Sequence, residues 1–555
     1  MVNYSWFYNH RYLLILIFLG IIFFILYSWL YIGVEPMFNW PDETANYHFT
    51  KSFAENSVLK IYEPLGSLAD GVVRPRSITY NNGYIQPGSF LGIILIFGLI
   101  AKIFGTGIIV FLTPLFSAIG VIFFYLLVRK LFSDQIAFFS SLLMYILPPY
   151  WYYASHGLLH NNLFLSLLIM GLFFLINSLT RESETKKFDW QYIIAGLFIG
   201  LSLIVRTSET IWVGLIILIL LIAYRSRIKL QNAINFIATL AVIIVPILYL
   251  NRKLYGSVTS FAYSAQAEDA SSLEFFSQTA IYKLKQLLFP FGFDWQSIIA
   301  TYRDYLIQMF PWISILLVIG LFWYLRRYTF SLIKKIFPQF LLIDHISKNE
   351  KVYLLIYSAL SIWLIIYYGS FIFNEHAIQT DAPIFGTSYM RYWLPIYVFG
   401  LPLAVNCLTK FISLFKNKII GRVLSLSIIF VIIVLSIFKV VLDPYQGLIV
   451  TKKYINNNIT MKNEVMSLTE NNAIIITWAN DKVFFPERKV IANLPINQDQ
   501  ATRILTNLTQ EVPLYFFYSP FDKNSPQYLD QFQASHLTLE PIKNFDNNEI
   551  LYKVY

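Results

Sequence analysis

Long runs of apolar residues, separated by short polar segments, dominate most of the chain. Runs of about 17 or more apolar residues are long enough for an α-helix to cross the hydrocarbon core of a bilayer. They begin near Tyr12, Gly107, Gln135, Leu158, Asp189, Ile211, Ala233, Ile307, Val352, Arg391 and Arg422. The pattern therefore predicts a polytopic membrane protein with about 11 transmembrane helices. A further apolar segment, 87–104, contains three glycines and Lys102 and is ambiguous in length.

The basic residues decide how that segment is counted. If 87–104 is not a full span, all the basic clusters fall on one side of the membrane: His10-Arg11, Arg129-Lys130, Lys186-Lys187, 224–229, Arg326-Arg327 with Lys334-Lys335, and Lys410 to Arg422. Cytoplasmic loops are enriched in Lys and Arg. We therefore expect a multi-pass protein of the cell membrane with a cytoplasmic N-terminus. Segment 87–104 is expected to be re-entrant or on the outer face, and loops 35–106 and 251–306 are expected to be external.

The chain changes character after about residue 443. The tail is richer in Asn, Asp, Glu and Lys, and the short β-like runs "AIIIT" (473–477) and "LYFFYS" (514–519) alternate with helical stretches. We expect an all-α transmembrane domain over 1–442. A small soluble α/β domain over 443–555 should follow it on the extracytoplasmic side.

Composition agrees with this division and excludes several classes of protein. The 555 residues are 57% hydrophobic and only 13% charged, unlike a soluble globular chain. The net charge of +10 is explained by basic cytoplasmic loops, so nucleic acid is not an expected partner. Cys407 is the only cysteine, which excludes an intramolecular disulfide and a cysteine metal site. The first apolar run is too long for a signal-peptide core and is expected to remain as the first span.

The stretch "NWPDETANYHF" (39–49) directly follows the first span and carries two adjacent acids. As a helix start it needs no further role: Asn39 can cap, Pro41 suits the first turn, and acids complement the helix dipole. Ionisable groups at a membrane interface are nevertheless candidates for function. Asp42 and Glu43 should point about 100° apart on a helix, so we expect one of them to carry the main role. His48 is five residues from Glu43, which does not suit shared metal ligation, and no metal is expected.

Three further groups of polar residues are expected at the same outer surface. "YASHGLLHNN" (153–162) offers His160, Asn161 and Asn162, which could position a substrate or simply form interface hydrogen bonds. "VRTSET" (205–210) makes a short hairpin with Arg206 and Glu209. Those two could help to position a substrate or could neutralise one another.

Cations that could bind a phosphate form the last group. "TSYMRYWLP" (387–395) places Arg391 and Tyr392 at the mouth of a span, as a snorkelling anchor or as a ligand for a lipid phosphate. Arg303, in the second large loop, and Arg74, in the first, are further candidates. Arginine suits the role because its planar fork donates two parallel hydrogen bonds to a phosphate.

An acid just after the first span, about 11 spans, a second large loop and the Arg-Tyr-x-x-Pro at 391–395 resemble the GT-C superfamily of membrane glycosyltransferases. This superfamily includes the protein O-mannosyltransferases and the bacterial aminoarabinose transferases. "PDE" (41–43) with His48 also looks like the Pro-Asp-Glu-x-x-His signature of related prokaryotic membrane proteins. The spacing before His48 is two residues longer here, so no family role is carried over to His48.

The resemblance implies that Asp42 occupies the position of the catalytic acid, with Glu43 as support. It implies a hexosyl- or pentosyltransferase that takes a sugar from a polyprenyl-phosphate carrier and passes it to a glycan, lipid or protein acceptor, without a cofactor. Many relatives have a second acid after the third span, where this chain has His160, Asn161 and Asn162.

Two other functions remain open from the sequence. A transporter or flippase of lipid-linked saccharides would also use external aromatic and cationic residues. Transporters usually place such groups near the midplane and in paired halves, whereas the ionisable residues here are expected at one face. A non-catalytic envelope assembly protein would act through the external tail.

Overall fold

The computed structural model describes residues 4–181, 188–258, 289, 291–336, 346–371, 384, 386, 388–413, 415–522 and 524–555. Helices make up most of the chain as far as residue 468, and the rest forms a mixed sheet with short helices. The part of loop 251–306 at 259–288 and 290 lies outside the described residues.

The helices of the first half begin and end as follows: α1 Tyr4–Ser28, α2 Pro41–Asn56, α3 Leu91–Phe104, α4 Ile109–Arg129, α5 Asp134–Ile146, α6 Pro148–Ser155, α7 His160–Thr180, α8 Gln191–Val205, α9 Thr210–Ala223 and α10 Leu230–Tyr255. Those of the second half are α11 Trp295–Thr301, α12 Pro311–Ile336, α13 Lys348–Gly369, α14 Ser388–Tyr392, α15 Leu394–Ser413, α16 Lys418–Ile437, α17 Leu448–Leu468, α18 Asp481–Phe484, α19 Gln498–Glu511 and α20 Ser525–Ala534.

Within the described residues, seven helices are long and apolar enough to cross a membrane, or up to nine if two bent pairs each count as one span. The chain is therefore a multi-pass membrane protein, but the predicted number of about 11 spans is not confirmed. The difference has identifiable causes. Helix α5 has only 13 residues, and α8 and α9 meet at a bend of 117°. A helical segment over 295–308 meets α12 at 105°.

Prolines explain the shortness of α5. Pro148 and Pro149 follow Leu147, and a residue before proline is driven out of the helical region. Leu147 accordingly has φ −59° and ψ 119°, and the chain restarts as the short helix α6. The run that begins near Gln135 is thus two helical pieces and not one continuous span.

The segment after α1 folds as a compact unit. Helix α2 packs on α3. The chain between these two helices forms a three-stranded antiparallel sheet of β1 (Ile61–Tyr62), β2 (Ile78–Asn81) and β3 (Tyr84–Pro87), in the order β1-β3-β2. Helix α3 has 14 residues, or about 21 Å at 1.5 Å per residue. This length is too short to cross a hydrocarbon core of about 30 Å.

The C-terminal region forms a five-stranded sheet in the order β5-β4-β6-β8-β7. Its strands are β4 Ile474–Ile476, β5 Lys489–Ile491, β6 Leu514–Tyr518, β7 Leu539–Asn544 and β8 Ile550–Val554. Strands β4, β5 and β6 are parallel, and β8 runs antiparallel to β6 and β7. Both β-like runs read from the sequence are strands, and helices α19 and α20 complete the α/β fold.

The loop after α1 and the C-terminal region share one hydrophobic core. Ala69 and Val73 are buried with Ile474 and Ile491 of the sheet. Arg74 forms a parallel β-bridge with Ile491, which extends the sheet by one residue pair. The two segments therefore lie at the same end of the helix bundle, the end at which α1 stops.

Candidate active site

Helix α2 places Asp42 and Glu43 in its first turn. Pro41 occupies the first helical position as expected, but the predicted cap by Asn39 is wrong. Trp40 is the N-cap residue, and among the described residues its side chain makes no capping hydrogen bond. The carbonyl oxygen of Asn39 instead accepts a hydrogen bond of 2.6 Å from Nζ of Lys482 in the C-terminal region. This long-range contact ties the chain just before α2 to the C-terminal region.

Asp42 faces a partly open space next to two polar side chains. Oγ of Ser77 donates a hydrogen bond to Oδ1 of Asp42. Nη1 of Arg391 lies 3.7 Å from Oδ2, a distance typical of a loose ion pair and longer than a hydrogen bond. The side chains of Asp42 and Arg391 are 25% and 19% exposed. This geometry leaves both charges accessible to a ligand.

Glu43 points the other way, as the helical spacing predicts. It is fully buried, and the Tyr31 hydroxyl donates a hydrogen bond of 3.3 Å to its Oε1. No ion pair is found for Glu43 in the described part of the chain, and Oε2 is buried there without a hydrogen-bond partner. Burial raises the pKa of Glu43 from 4.5 to about 7, while backbone amides and the Tyr31 hydroxyl oppose that rise. At neutral pH this carboxyl is therefore poised between its two protonation states.

The short helix α14 presents Arg391 and Tyr392. Nη2 of Arg391 donates to Oγ of Ser388 at 2.9 Å, and the amide of Asn161 donates to the backbone carbonyl of Arg391 at 2.9 Å. Asn161 thus joins the start of α7 to the helix that carries Arg391. The guanidinium of Arg391 also lies 5.8 Å from the ring centre of Tyr392, within cation–π range.

Arg206 and Glu209 form a buried ion pair at the break between α8 and α9. Nη2 of Arg206 is 2.6 Å from Oε1 of Glu209, and their side chains are only 7% and 4% exposed. The Tyr368 hydroxyl donates to Glu209 at 2.7 Å, and the Trp212 indole nitrogen donates to its other oxygen. The two side chains therefore neutralise one another, which is one of the two roles that the sequence allowed.

The same cluster reaches Arg391 through Tyr392. Arg206 lies 4.9 Å from the ring centre of Tyr392, and Tyr368 stacks on that ring at 4.3 Å. Tyr392 therefore contacts both guanidinium groups. This brings Asp42, Arg391, Tyr392, Arg206 and Glu209 together, although they come from three separate regions of the sequence.

The three residues that begin α7 have different surroundings. His160 lies within electrostatic range of Asp42, Arg206 and Arg391, and its Nε2 is 3.2 Å from the carbonyl oxygen of Phe90. Asn161 supports Arg391 as described above. Asn162 is buried and donates to the Tyr150 carbonyl at 3.0 Å and to Ser117 at 3.2 Å, contacts that join helices.

The two other predicted phosphate ligands contact other groups. The guanidinium of Arg74 donates to the carbonyl oxygens of Gly71 and Ile78, and so holds together the loop that carries Ser77. Arg303 is largely exposed and pairs with its neighbour Asp304 at 2.7 Å. Over the described ranges, neither contacts Asp42 or Arg391.

Sequence reasoning missed Ser77, Tyr368 and Tyr31. Ser77 has φ +60°, in the left-handed region that non-glycine residues rarely adopt and that is enriched at functional sites. No pattern in "RPRSITY" (74–80) indicates that geometry. Tyr368 ends an apolar run and resembles an ordinary aromatic-belt residue. Within the described residues, no group of three or more His, Cys, Asp or Glu side chains could hold a metal ion.

Comparison with known proteins bears on what this arrangement does. The family model of dolichyl-phosphate-mannose-protein mannosyltransferases matches residues 91–250. No curated protein matches the chain. Among solved structures, the Archaeoglobus fulgidus oligosaccharyltransferase in complex with Zn and sulfate aligns with a TM-score of 0.57 at 13% identity, over 98% of this chain and 72% of that one.

A second structure from the same organism gives the same result. The oligosaccharyltransferase AglB in complex with an inhibitory peptide and a dolichol-phosphate aligns with a TM-score of 0.53 at 12% identity, over 92% of this chain and 70% of that one. The chain shares the fold of these oligosaccharyltransferases over the aligned residues, in agreement with the superfamily resemblance seen in the sequence. The family match covers residues 91–250 only, and the likeness to the solved structures shows the fold of the chain.

Proposed function

We propose that the chain transfers a sugar from a polyprenyl-phosphate carrier to an acceptor on the extracytoplasmic face of the membrane, with Asp42 as the catalytic base. The observation that carries the proposal is the open ion pair of Asp42 and Arg391, which presents a carboxylate and a guanidinium side by side at a partly exposed surface. A sugar transfer from a phosphate carrier needs one group of each charge.

Each charge has a definite task in that reaction. The acceptor hydroxyl attacks the anomeric carbon, forming a new carbon–oxygen bond as the bond from that carbon to the carrier phosphate breaks. Asp42 accepts the hydroxyl proton and offsets positive charge that develops on the sugar. The guanidinium of Arg391 donates two parallel hydrogen bonds to the departing phosphate and offsets its negative charge, so the leaving group needs no general acid.

The surrounding residues position these two. The hydrogen bond from Ser77 orients the Asp42 carboxylate, and Asn161 holds the backbone at Arg391. Glu43 supports α2 from within the core. The ion pair with Glu209 holds Arg206 against the ring of Tyr392. Among the candidate cations Arg391 is favoured for the carrier phosphate, because Arg74 and Arg303 contact other groups.

The test is release of polyprenyl phosphate from a panel of polyprenyl-phosphate sugars, by purified protein in lipid with candidate acceptors. General base catalysis contributes roughly 10²–10⁴-fold, so Asp42→Asn should lower acceptor-dependent release by that factor. Asp134→Asn is the matched control, because Asp134 is a half-exposed carboxylate paired with Arg129 at 2.9 Å. It should release the carrier at the wild-type rate.

Other results would select another function. Release by Asp42→Asn at the wild-type rate would exclude Asp42 as the base. Binding of the carrier without release by either protein, across a broad acceptor panel, would favour the transporter. An envelope assembly protein would be indicated if Asp42→Asn were silent and deletion of residues 443–555 abolished function.

A further inference from the structure

A polar cleft lies in the C-terminal region, separate from the Asp42 site. It encloses about 400 Å³, within the range of small-molecule sites. One wall is α17, and the other is formed by the segments that follow β4 and β6 and by the turn between β7 and β8. We call it the outer cleft; the residues used below are Tyr454, Asn457, Asn458, Asn480, Phe521 and Asn547.

The position of the outer cleft in the sheet is one reason to regard it as a binding site. Strands β4 and β6 are parallel neighbours, and the chain leaves β4 toward β5 on one side and leaves β6 toward β7 on the other. Ligands of open α/β sheets bind in the crevice outside the carboxyl ends of strands at such a reversal. Asn480 and Phe521, which follow these two strands, both line the cleft.

The walls are held in place before any ligand binds. The carboxylate of Asp522 accepts hydrogen bonds from the backbone amides of Trp478 at 3.0 Å and Ala479 at 3.3 Å, which ties the two strand ends together. Asn480 is buried, and its amide donates to Glu549 at 3.3 Å across the cleft. A preformed cleft loses little conformational entropy on binding.

The lining indicates the class of ligand. Four asparagines line the cleft, at 457, 458, 480 and 547, and each amide group both donates and accepts. Tyr454 and Phe521 are 40% and 54% exposed, so part of each ring is available for packing, although Nζ of Lys482 lies 5.6 Å from the ring centre of Tyr454. Asn458 is buried in the wall, where its amide nitrogen finds no hydrogen-bond partner within the described residues. Hydroxyl groups that both donate and accept, together with apolar CH faces, would complement these walls.

The charges of the lining residues restrict the class of ligand further. Asp546 and Glu549 also line the cleft, as does Glu464, which pairs with Lys543 at 3.6 Å. None of the described lining residues is Lys, Arg or His. Carboxylates disfavour a phosphate or a uronic acid by like-charge repulsion. We propose that the outer cleft binds a neutral oligosaccharide.

The outer cleft is also linked to the Asp42 site through one short segment. Asn480 precedes Asp481, whose carboxylate accepts hydrogen bonds of 2.7 Å from the backbone amide and from the guanidinium of Arg76. Arg76 precedes Ser77, which donates to Asp42. The bound glycan is thus the acceptor or the saccharide of the donor. That assignment rests on the proposed transfer, whereas binding itself does not.

The experiment measures binding of defined neutral oligosaccharides, mannotetraose, maltotetraose and N-acetylchitotetraose, to the full-length protein in lipid nanodiscs by isothermal titration. Tetragalacturonic acid and a lysine-containing peptide are the comparison ligands. The wild type should bind at least one neutral oligosaccharide and neither comparison ligand. Binding of none of the three, or stronger binding of a comparison ligand, would overturn the proposal.

Three variants test whether binding occurs in the outer cleft. Asn457→Ala and Phe521→Ala each remove one exposed lining group, and each should weaken binding by about tenfold. Asn547→Gly removes a lining amide while keeping the backbone, because Asn547 has φ +62°. It should weaken binding by a similar factor. Asn463→Ala is the matched control, since Asn463 is exposed on the same helix but outside the cleft.

The source of the glycan and the proposed transfer are tested separately. Asp42→Asn should bind the oligosaccharide as the wild type does, so loss of its transfer activity reports only on the proposed function. In the transfer assay, Asn457→Ala should raise KM for the acceptor if the cleft holds the acceptor, and KM for the donor if it holds the donor saccharide. Equal binding by wild type and the three cleft variants would show that the cleft is not the site.

Discussion

Two Arg–carboxylate pairs lie close together in this molecule and differ in distance, burial and hydrogen bonding. Arg206 and Glu209 are 2.6 Å apart, almost completely buried, and Glu209 also accepts hydrogen bonds from Tyr368 and Trp212. Arg391 and Asp42 are 3.7 Å apart and about a fifth to a quarter exposed. The buried pair finds its main partners within the protein, whereas the side chains of the open pair are partly exposed.

The difference between the two pairs follows from what a buried charge and an accessible charge each require. A buried charge must be paired and hydrogen-bonded, because leaving it uncompensated is costly. A catalytic charge must remain accessible and must exchange its partner for substrate. Tyr392 contacts both Arg206 and Arg391, so the buried pair can help to position Arg391.

The largest expected effect on stability comes from breaking the buried pair. Glu209→Gln leaves Arg206 without its counter-charge, which should destabilise the fold by about 3–5 kcal/mol. Thermal unfolding in detergent should show a large drop in Tm. Asp70→Asn is the control, because Asp70 pairs with the exposed Arg503, and surface pairs contribute only about 0–1 kcal/mol. Equal Tm values for the two variants would mean that the buried pair is not a structural anchor.

Glu43 is a second buried carboxyl, but unlike Glu209 it has no counter-charge within the described residues. Its pKa is raised from 4.5 to about 7, so the neutral form is favoured in the folded protein. The preference for the neutral form contributes to the stability of the folded protein, and this contribution is fully present below pH 4.5 and is lost as pH rises through 7. At about 1.4 kcal/mol per pKa unit, the loss amounts to roughly 3 kcal/mol.

Glu43→Gln should remove that pH dependence. The Tm of the wild type should fall relative to the variant between pH 5 and pH 8, and the two curves should converge at low pH. Glu55→Gln serves as the control, because Glu55 is exposed on the same helix. Parallel curves for wild type and Glu43→Gln would show that Glu43 is charged throughout.

Arg391→Lys tests the open pair without removing its charge. Lysine cannot reproduce the two-pronged contact with a phosphate. Loss of one charge-assisted hydrogen bond, about 1.5–3 kcal/mol, should lower kcat/KM for the polyprenyl-phosphate donor by roughly 10–100-fold with little change in Tm. Arg303→Lys should have wild-type kinetics, because Arg303 is exposed and pairs with Asp304. A reversed ranking of the two variants would assign the phosphate to Arg303.

The smallest effect is expected at Ser77. Ser77→Gly removes the hydroxyl that donates to Asp42, while glycine tolerates the φ of +60° without strain. The rate of transfer should fall several-fold to about tenfold, and Tm should stay close to that of the wild type. Ser57→Gly is a matched change at φ +57°, away from Asp42. Full activity of Ser77→Gly would show that the hydrogen bond does not orient the carboxylate.

The elements that the sequence predicted best are those that local pattern specifies. Apolar runs gave the long helices α1, α4, α7, α10, α13, α15 and α16, and the β-like runs gave β4 and β6. The prolines at 148 and 149 were visible in the sequence, yet their effect on α5 was not predicted. Apolar composition alone does not distinguish one long helix from two short ones.

The candidate site was predicted in part. Asp42, Arg391, Tyr392, His160 and Asn161 were named from interfacial position, and the structure places all of them in one neighbourhood. Arg206 and Glu209 were named with two readings, and the structure shows them as a buried ion pair. Ser77 was missed because its importance depends on backbone geometry and on a contact with a residue 35 positions away.

By itself the sequence determined the class of protein, the long helices, strands β4 and β6 and the two acids after the first span, because burial in lipid demands apolar runs of a minimum length. Tertiary structure alone decided that Arg391 meets Asp42, that the loop after α1 joins the core of the C-terminal region, and that the outer cleft forms. Those contacts join residues far apart in the chain, and their energies depend on distance and burial, neither of which leaves a local pattern.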